Sequence, residues 1–218
     1  MAKQRKTAES SKTRAQRETG GSDAGNAGFT RRGFMKGVGV AGGATIVAKD
    51  ARAAAAKPVK TLPAKKVPIT LNVNGKDRKL SVEPRVTLLR ALRNELDLTG
   101  TKEVCDRGAC GACSVHLDGA LVPSCMVLAV DAVGKRITTI EGLSEGDKLH
   151  PIQQAFVQHD ALQCGFCTPG MVMACKAILD HNKQPTLLQI KRGLSGNICR
   201  CGTYTNIFAA VLTAAKNV

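Results

Sequence analysis

Apolar and polar residues alternate over Ile69-Thr-Leu71-Asn-Val73 and again at Leu80-Ser-Val82, with Asn74-Gly75 in between. Alternation of period two puts one face of each segment inside, and Asn-Gly accepts the positive φ angles of a tight turn, so the pattern predicts a hairpin. Thr87 then stands at a helix N-cap position, ahead of an apolar face of Leu88, Leu89, Leu92 and Leu96. Alternation resumes over Cys113-Ser-Val115-His-Leu117, turns at Asp118-Gly119 and returns through Leu121-Val122. Arg136-Ile137-Thr-Thr-Ile140 is read as the strand that closes the sheet. From about Asp147 the period becomes helical, with Ile152, Ala155, Phe156 and Val157 inside His150–His159. Thr168-Pro169 reads as an N-cap and first helical residue of a helix running to about Asp180. Thr186 caps a shorter helix over Leu187–Arg192, and Thr203–Lys216 carries Ile207, Ala210, Val211 and Ala214 in register. The expected fold class is α+β: a sheet-bearing domain over residues 67–145, then a small four-helix bundle over residues 146–218.

Eight of the nine cysteines fall into two sets of four within that plan. Cys105, Cys110 and Cys113 form a C-x₄-C-x₂-C run, with Cys125 twelve positions further on. This is the plant-type [2Fe–2S] spacing, and with the strand–helix order around it predicts a β-grasp ferredoxin domain. The second set pairs Cys164-x₂-Cys167 with Cys199-x-Cys201, in two loops that each precede a helix. Helix N-termini favour the negative charge of a thiolate-bound cluster. Structural zinc also takes four thiolates, usually as two short pairs, which the second set resembles more than the first. Disulfides are the other use of eight cysteines in an exported chain. The first loop argues against both. Gly108, Ala109, Gly111 and Ala112 are small, as they must be where backbone N–H groups approach cluster sulfurs. The ninth cysteine, Cys175, shares helical spacing with Met171, Val172, Ile178 and Leu179 and is read as a buried free thiol.

Composition changes the picture in one respect. The net charge of +15 resembles a nucleic-acid footprint, but residues 1–53 hold 11 Lys/Arg and 4 Asp/Glu and so carry +7 of it. The remaining +8 falls to about +4 once two oxidised clusters of formal charge −2 are counted. Neither this nor the 3 % aromatic content supports a nucleic-acid partner. The basic segment has another explanation. Residues 1–28 are polar and Gly/Ser-rich, and Thr30-Arg31-Arg32-Gly33-Phe34-Met35-Lys36 precedes the apolar stretch Gly37–Ala48. This pattern resembles a twin-arginine export signal, with Ala51-Arg52-Ala53 as a cleavage site. It implies a partner translocase, passage in the folded state with clusters already assembled, and a periplasmic destination. The apolar stretch is too short and glycine-rich for a stable membrane span. Its formal G-x-G-x-x-G, Gly37 to Gly42, lacks the preceding strand that a dinucleotide site needs. Residues 54–66, with Pro58, Pro63 and four lysines, read as a linker.

The chain resembles the iron–sulfur subunit of the molybdenum hydroxylases, the xanthine oxidase and aldehyde oxidoreductase family. The resemblance lies in Cys105-x₄-Cys110-Gly-Ala-Cys113, Gln163-Cys164-Gly-Phe-Cys167-Thr-Pro-Gly170 and Gly196-Asn-Ile-Cys199-Arg-Cys201, and covers about residues 67–216. It implies two [2Fe–2S] clusters, one in each domain. It also implies a large partner subunit bearing molybdopterin, in its cytosine dinucleotide form, and often a third subunit bearing FAD. Electrons would pass from the pterin to the second cluster, then to the first and onward to FAD. Carried over by the resemblance, Gln163 and Cys201 lie against the pterin. Val104 and Asp106 depart from the glycines that many relatives have beside the first cysteine, and Gly202-Thr203-Tyr204 from a usual Thr-Gly-Tyr. With the leader, the chain is most similar to periplasmic aldehyde oxidoreductase subunits, and isoquinoline-type enzymes are the competing branch.

No nucleophile–base constellation is visible. His116, His150, His159 and His181 lie in separate segments without a ligand spacing, so substrate chemistry is expected on another chain. A free periplasmic electron carrier and a zinc-stapled adaptor are the readings from other classes.

Overall fold

Both hairpins close through backbone that glycine and Asx residues favour: φ is 52° and 76° at Asn74 and Gly75, and 50° and 86° at Asp118 and Gly119. The computed structural model describes residues 61–217. The expected export leader, residues 1–53, and most of the expected linker, residues 54–66, lie outside the described residues. Strands β1 (Val67–Val73) and β2 (Lys76–Val82) form the first hairpin, and β3 (Ser114–Leu117) and β4 (Ala120–Pro123) the second. The sequence places β5 (Arg136–Thr138) as a closing strand, and the structure corrects this. The order is β2-β1-β5-β3-β4, with β5 in the middle, parallel to β1 and antiparallel to β3. The junction of the hairpins is pinned by Asn74, whose Nδ2 donates to Thr139 Oγ1 at 3.0 Å and whose Oδ1 accepts the Thr139 N–H at 2.9 Å.

Thr87 caps α1 (Leu88–Arg90) as expected, accepting the Arg90 N–H, but the helix continues as a π-helical stretch, Ala91–Glu95. The widened turn lets Leu88, Leu89, Ala91 and Leu92 all sit in the interior, more than one α-helical stripe would bury. They pack on Leu71, Val73, Val115 and Ile137 of the sheet, apart from Leu89, which lies against Cys113 and Cys125. Arg93 then donates to the carbonyls of Thr99 and Thr101 and leads the chain into the first cysteine loop.

Four helices follow: α2 (Pro151–Gln158), α3 (Thr168–His181), α4 (Leu187–Gly193) and α5 (Tyr204–Ala214). Their shared core includes Ile152, Phe156, Met171, Leu179, Ile190, Ile207 and Val211. His150 and Thr186 cap α2 and α4 through reciprocal capping boxes with Gln153 and Gln189. Thr168 is not the N-cap of α3; Cys167 holds that position and Thr168 is the first helical residue.

Helix α3 also covers the sheet. All four residues of β3 are buried, because Val115 and Leu117 face the α1 core and the opposite face lies under α3. There His116 is 3 % exposed, and its Nε2 lies 2.9 Å from the Met173 carbonyl, which makes it the protonated nitrogen of a neutral ring. Burial holds its pKa below the ordinary imidazole value. The unfolded chain therefore binds the proton more readily, and stability should fall as pH drops below ~6.5. His150 is lowered too, again chiefly by burial, and adds to the slope. In His116→Gln, which keeps a donor for Met173 but does not titrate, the urea midpoint should change less between pH 7.5 and pH 5 than in the wild type. Equal slopes would exclude this role for His116.

Candidate metal centres

The first cysteine set is built on the loop that joins α1 to β3. Positive φ at Asp106 (49°), Gly108 (72°) and Gly111 (69°) curls this loop. The curl aims the Gly108 N–H at Cys125 Sγ, 3.2 Å away, and the Ala109 N–H at Cys105 Sγ, 3.3 Å away. Arg90 on α1 ties the loop down through Glu103 (3.3 Å) and Asp106 (3.0 Å). The Cys105 thiol lies beside that of Cys110, and the Cys125 thiol beside that of Cys113. The Arg107 N–H, with those of Ala109 and Cys110, brings Cys105 down to about 7. Burial pushes Cys125 up to about 12.

The second set is assembled from the loops before α3 and α5. Cys164 pairs with Cys201 and Cys167 with Cys199. Burial pushes Cys167 up to about 12. Burial also acts to raise Cys199, but the Thr203 hydroxyl and N–H and the Cys167 thiol outweigh it and bring Cys199 down to about 7. The Thr203 hydroxyl lies 3.3 Å from Cys199 Sγ. The Phe166 N–H and the Cys201 thiol lower Cys164, while Cys201 is raised: a backbone contact at Cys164 acts to lower it, but the Cys164 side chain, burial and the charges of Cys164 and Cys199 together outweigh that contact. In each pair of the second set one thiol is lowered and the other raised. A metal that binds such thiols displaces the protons they carry.

Among the described residues no three His, Cys, Asp or Glu side chains are gathered about one point as a single ion requires. The thiols stand instead as two pairs in each set, the arrangement of a diiron core in which each iron takes two thiolates. Backbone N–H groups already point at the first set's sulfurs, as cluster sulfurs need. Thr168 Oγ1 is buried and has no partner among the described residues. It directly follows Cys167, where a bound cluster would offer sulfur acceptors. The residues present fit two [2Fe–2S] centres.

The sets differ in exposure. Cys113 and Cys125 are buried, whereas Cys105 and Cys110 are partly open. In the second set Cys164 and the neighbouring Gln163 are exposed and Cys201 is partly so, while Cys199 is buried. Phe166 and Ile198, next in sequence to Cys167 and Cys199, are also exposed. Gln163 and Cys201 are thus both available to a partner surface. Between the sets runs a short bridge: the Ile198 N–H donates to the Cys110 carbonyl at 2.9 Å. Cys175 is wholly buried inside α3 and belongs to neither set, and burial raises its pKa. The histidines form no metal-ligand group among the described residues: His116 serves the β3–α3 contact, His150 a cap, His159 lies against Thr213 Oγ1 at 2.8 Å, and His181 ends α3. Sequence reading missed Asn197, Thr203 and Tyr204. Their only signal is position, within a few residues of Cys199.

Two thiol quartets on adjoining α+β and helical parts define a two-centre iron–sulfur redox protein. Residues 71–136 match the family described as 2Fe-2S iron-sulfur cluster binding domain, and residues 139–212 the [2Fe-2S] binding domain. The aldehyde oxidoreductase iron-sulfur-binding subunit PaoA of Escherichia coli K12 is 41 % identical over 205 residues, spanning 87 % of this chain and 90 % of that protein. The nicotine 6-hydroxylase small subunit of Paenarthrobacter nicotinovorans is 47 % identical over 156 residues, 72 % of this chain and 94 % of that one. Among solved structures, quinoline 2-oxidoreductase from Pseudomonas putida 86 aligns with a TM-score of 0.68 at 45 % identity, over 70 % of this chain and 95 % of that chain. The aldehyde oxidoreductase of Desulfovibrio desulfuricans aligns with a TM-score of 0.66 at 43 % identity, over 69 % of this chain but 17 % of that longer one. The chain belongs to the iron–sulfur subunits of the molybdenum hydroxylase family, which includes aldehyde oxidoreductases and xanthine dehydrogenases, and is a subunit of an oxidoreductase.

Proposed function

We propose that this chain is the electron-transfer subunit of a periplasmic molybdenum-containing aldehyde oxidoreductase. It would relay electrons from the molybdopterin site of a large subunit to FAD or another acceptor as aldehydes are oxidised to carboxylic acids. In this reading Cys105, Cys110, Cys113 and Cys125 hold one [2Fe–2S] centre in a β-grasp domain, residues 67–145. Cys164, Cys167, Cys199 and Cys201 hold the other in a four-helix domain, residues 146–218. Each centre, when bound, supplies one-electron redox chemistry.

The observation that carries the relay is the Ile198 N–H to Cys110 carbonyl bond of 2.9 Å. It joins a residue bonded to Cys199 with a residue of the other set, so the two sets share one short covalent and hydrogen-bonded path. Gln163, beside exposed Cys164, is assigned to contact the pterin together with Cys201. Phe166 and Ile198, next in sequence to ligand cysteines and both about half exposed, add apolar surface suited to a partner. Export is supported by Thr30-Arg31-Arg32-Gly33-Phe34-Met35-Lys36. A match spanning 87 % of 218 residues must also begin within the leader, and that is the span shared with PaoA. The second reading, an N-heterocycle hydroxylase, is favoured by the 47 % identity to the nicotine 6-hydroxylase small subunit.

The test is to isolate the chain natively from the periplasmic fraction and add aldehydes or N-heterocycles anaerobically. The expected result is a complex several times the 22.9 kDa of this chain whose visible absorption bleaches with aldehydes. Bleaching by quinoline-type substrates alone would favour the second reading. A lone chain that no substrate bleaches would leave a free carrier.

A further inference from the structure

We propose that Asn197 is a positioning residue that sets the separation of the two cysteine sets, and with it the coupling between the centres they hold. The proposal rests on the two-centre reading above and assigns a residue to its central step. Asn197 lies two positions before Cys199 and is 6 % exposed. Its Nδ2 donates at 3.1 Å to the carbonyl of Gly111, which lies between Cys110 and Cys113. It also donates at 3.2 Å to the carbonyl of Gly170, three residues after Cys167. One amide thus joins three cysteine-bearing segments. Its own backbone is held separately: Tyr204 OH donates to the Asn197 carbonyl at 3.3 Å and accepts the Cys199 N–H at 2.8 Å. The residue after it, Ile198, makes the bond to Cys110.

The fit around this amide leaves little slack. A Cβ on Gly111 would stand 2.5 Å from Asn197 Nδ2 and 2.7 Å from the Gly196 carbonyl oxygen. A Cβ on Gly170 would stand 2.2 Å from the Gly111 carbonyl oxygen. The segments therefore approach as closely as glycine backbones permit, with the Asn197 amide as their tie. An aspartate here has the same shape but turns both donors into an acceptor facing two carbonyls. A serine is too short to reach either. In both cases the side-chain tie between the three segments is lost: the Gly111 carbonyl keeps the Ser114 N–H and hydroxyl, but nothing then holds it against Gly170 and residue 197, and the segments are free to move apart. The Ile198–Cys110 link lies within this same junction and lengthens with it.

The experiment compares the cluster-loaded full-length wild type with Asn197→Asp and Asn197→Ser. Iron, sulfide and visible absorption are measured first, then low-temperature EPR of the dithionite-reduced chains. Both variants should retain two sets of [2Fe–2S] signals at wild-type g values. The splitting that arises when two reduced centres interact should be lost or clearly reduced, and electron exchange between the centres after flash reduction should slow. A residue that merely stabilised the fold would leave the splitting of the folded molecules untouched. Wild-type splitting and exchange in both variants overturns the proposal. So does loss of a cluster in both, which makes Asn197 an assembly residue. A wild-type chain without two iron–sulfur signals overturns the two-centre reading itself, a result distinct from either.

Discussion

Serine in place of Cys113 should erase one of two [2Fe–2S] signals and leave the other, and Cys167→Ser should do the reverse. The cluster-loaded wild type is expected to hold about four iron and four sulfide per chain, each variant about half. The physical reason is ligand softness. A serine oxygen is a hard donor that ionises far less readily than a thiol, and iron–sulfur cores select thiolates. Cys113 is 3 % exposed and packs with Cys125 and Leu89, so no outside ligand can replace it. The selectivity follows from where each set is built. Cys113 ends the α1–β3 loop against Leu89 and Cys125, whereas Cys167 and Cys199 pack on the helical core with Met171 and Ile207. Cys175→Ser is the matched control, since Cys175 lies within α3, apart from both quartets, and should leave both signals in place. EPR of the reduced proteins with iron analysis decides the matter. Stoichiometric zinc without iron in anaerobically purified wild type would defeat the assignment.

Local chemistry made much of this arrangement readable from residues alone. The Asn74-Gly75 and Asp118-Gly119 turns were legible because their φ values depend on the two residues themselves. The loop glycines were legible for the same reason, and Gly108 does deliver its N–H to a cysteine sulfur. What was hidden depends on distant partners. Nothing near Arg136 says that β5 inserts between β1 and β3, because the contacts that place it there lie more than sixty residues upstream at Asn72 and Val73. The alternation over Cys113–Leu117 places His116 on the face of β3 opposite Val115 and Leu117, and nothing nearby says what covers that face. His116 is buried because α3, over fifty residues later, covers the second face of β3. Thr168 looked like an N-cap from its proline neighbour, yet its hydroxyl is left unpartnered beside Cys167. That departure from local rules falls at the candidate centre, where a bound cluster would supply the missing acceptor. The same holds for Asn197, whose role exists only once Gly111 and Gly170 are brought to it.

Gly170→Ala should be the most damaging single-methyl change in the described body. The added Cβ would lie 2.2 Å from the Gly111 carbonyl oxygen and 2.9 Å from the Cα and carbonyl carbon of Ala112. All three are backbone atoms of the first cysteine loop, and none can rotate away as a side-chain tip would. Gly170 sits at the start of α3, whose later turns are fixed against β3 by the His116–Met173 bond and by buried Met173 and Cys175. Relief therefore requires the loop and the helix start to separate. That strains the Asn197 bonds to Gly111 and Gly170 and the Ile198–Cys110 bond together. Overpacking of this kind costs about 2–3 kcal/mol, which corresponds to a fall in apparent Tm of roughly 5–10 °C for a body of this size. Gly196→Ala provides the comparison. Its added Cβ meets nothing within 4 Å and its φ is ordinary, though it adjoins Asn197. It should change stability by less than about 0.5 kcal/mol. Thermal scans of the cluster-loaded chains, followed by visible absorption and by circular dichroism, should separate the two variants clearly. Equal midpoints would mean that the loops between the two centres are looser than this junction requires, and that their spacing is held elsewhere.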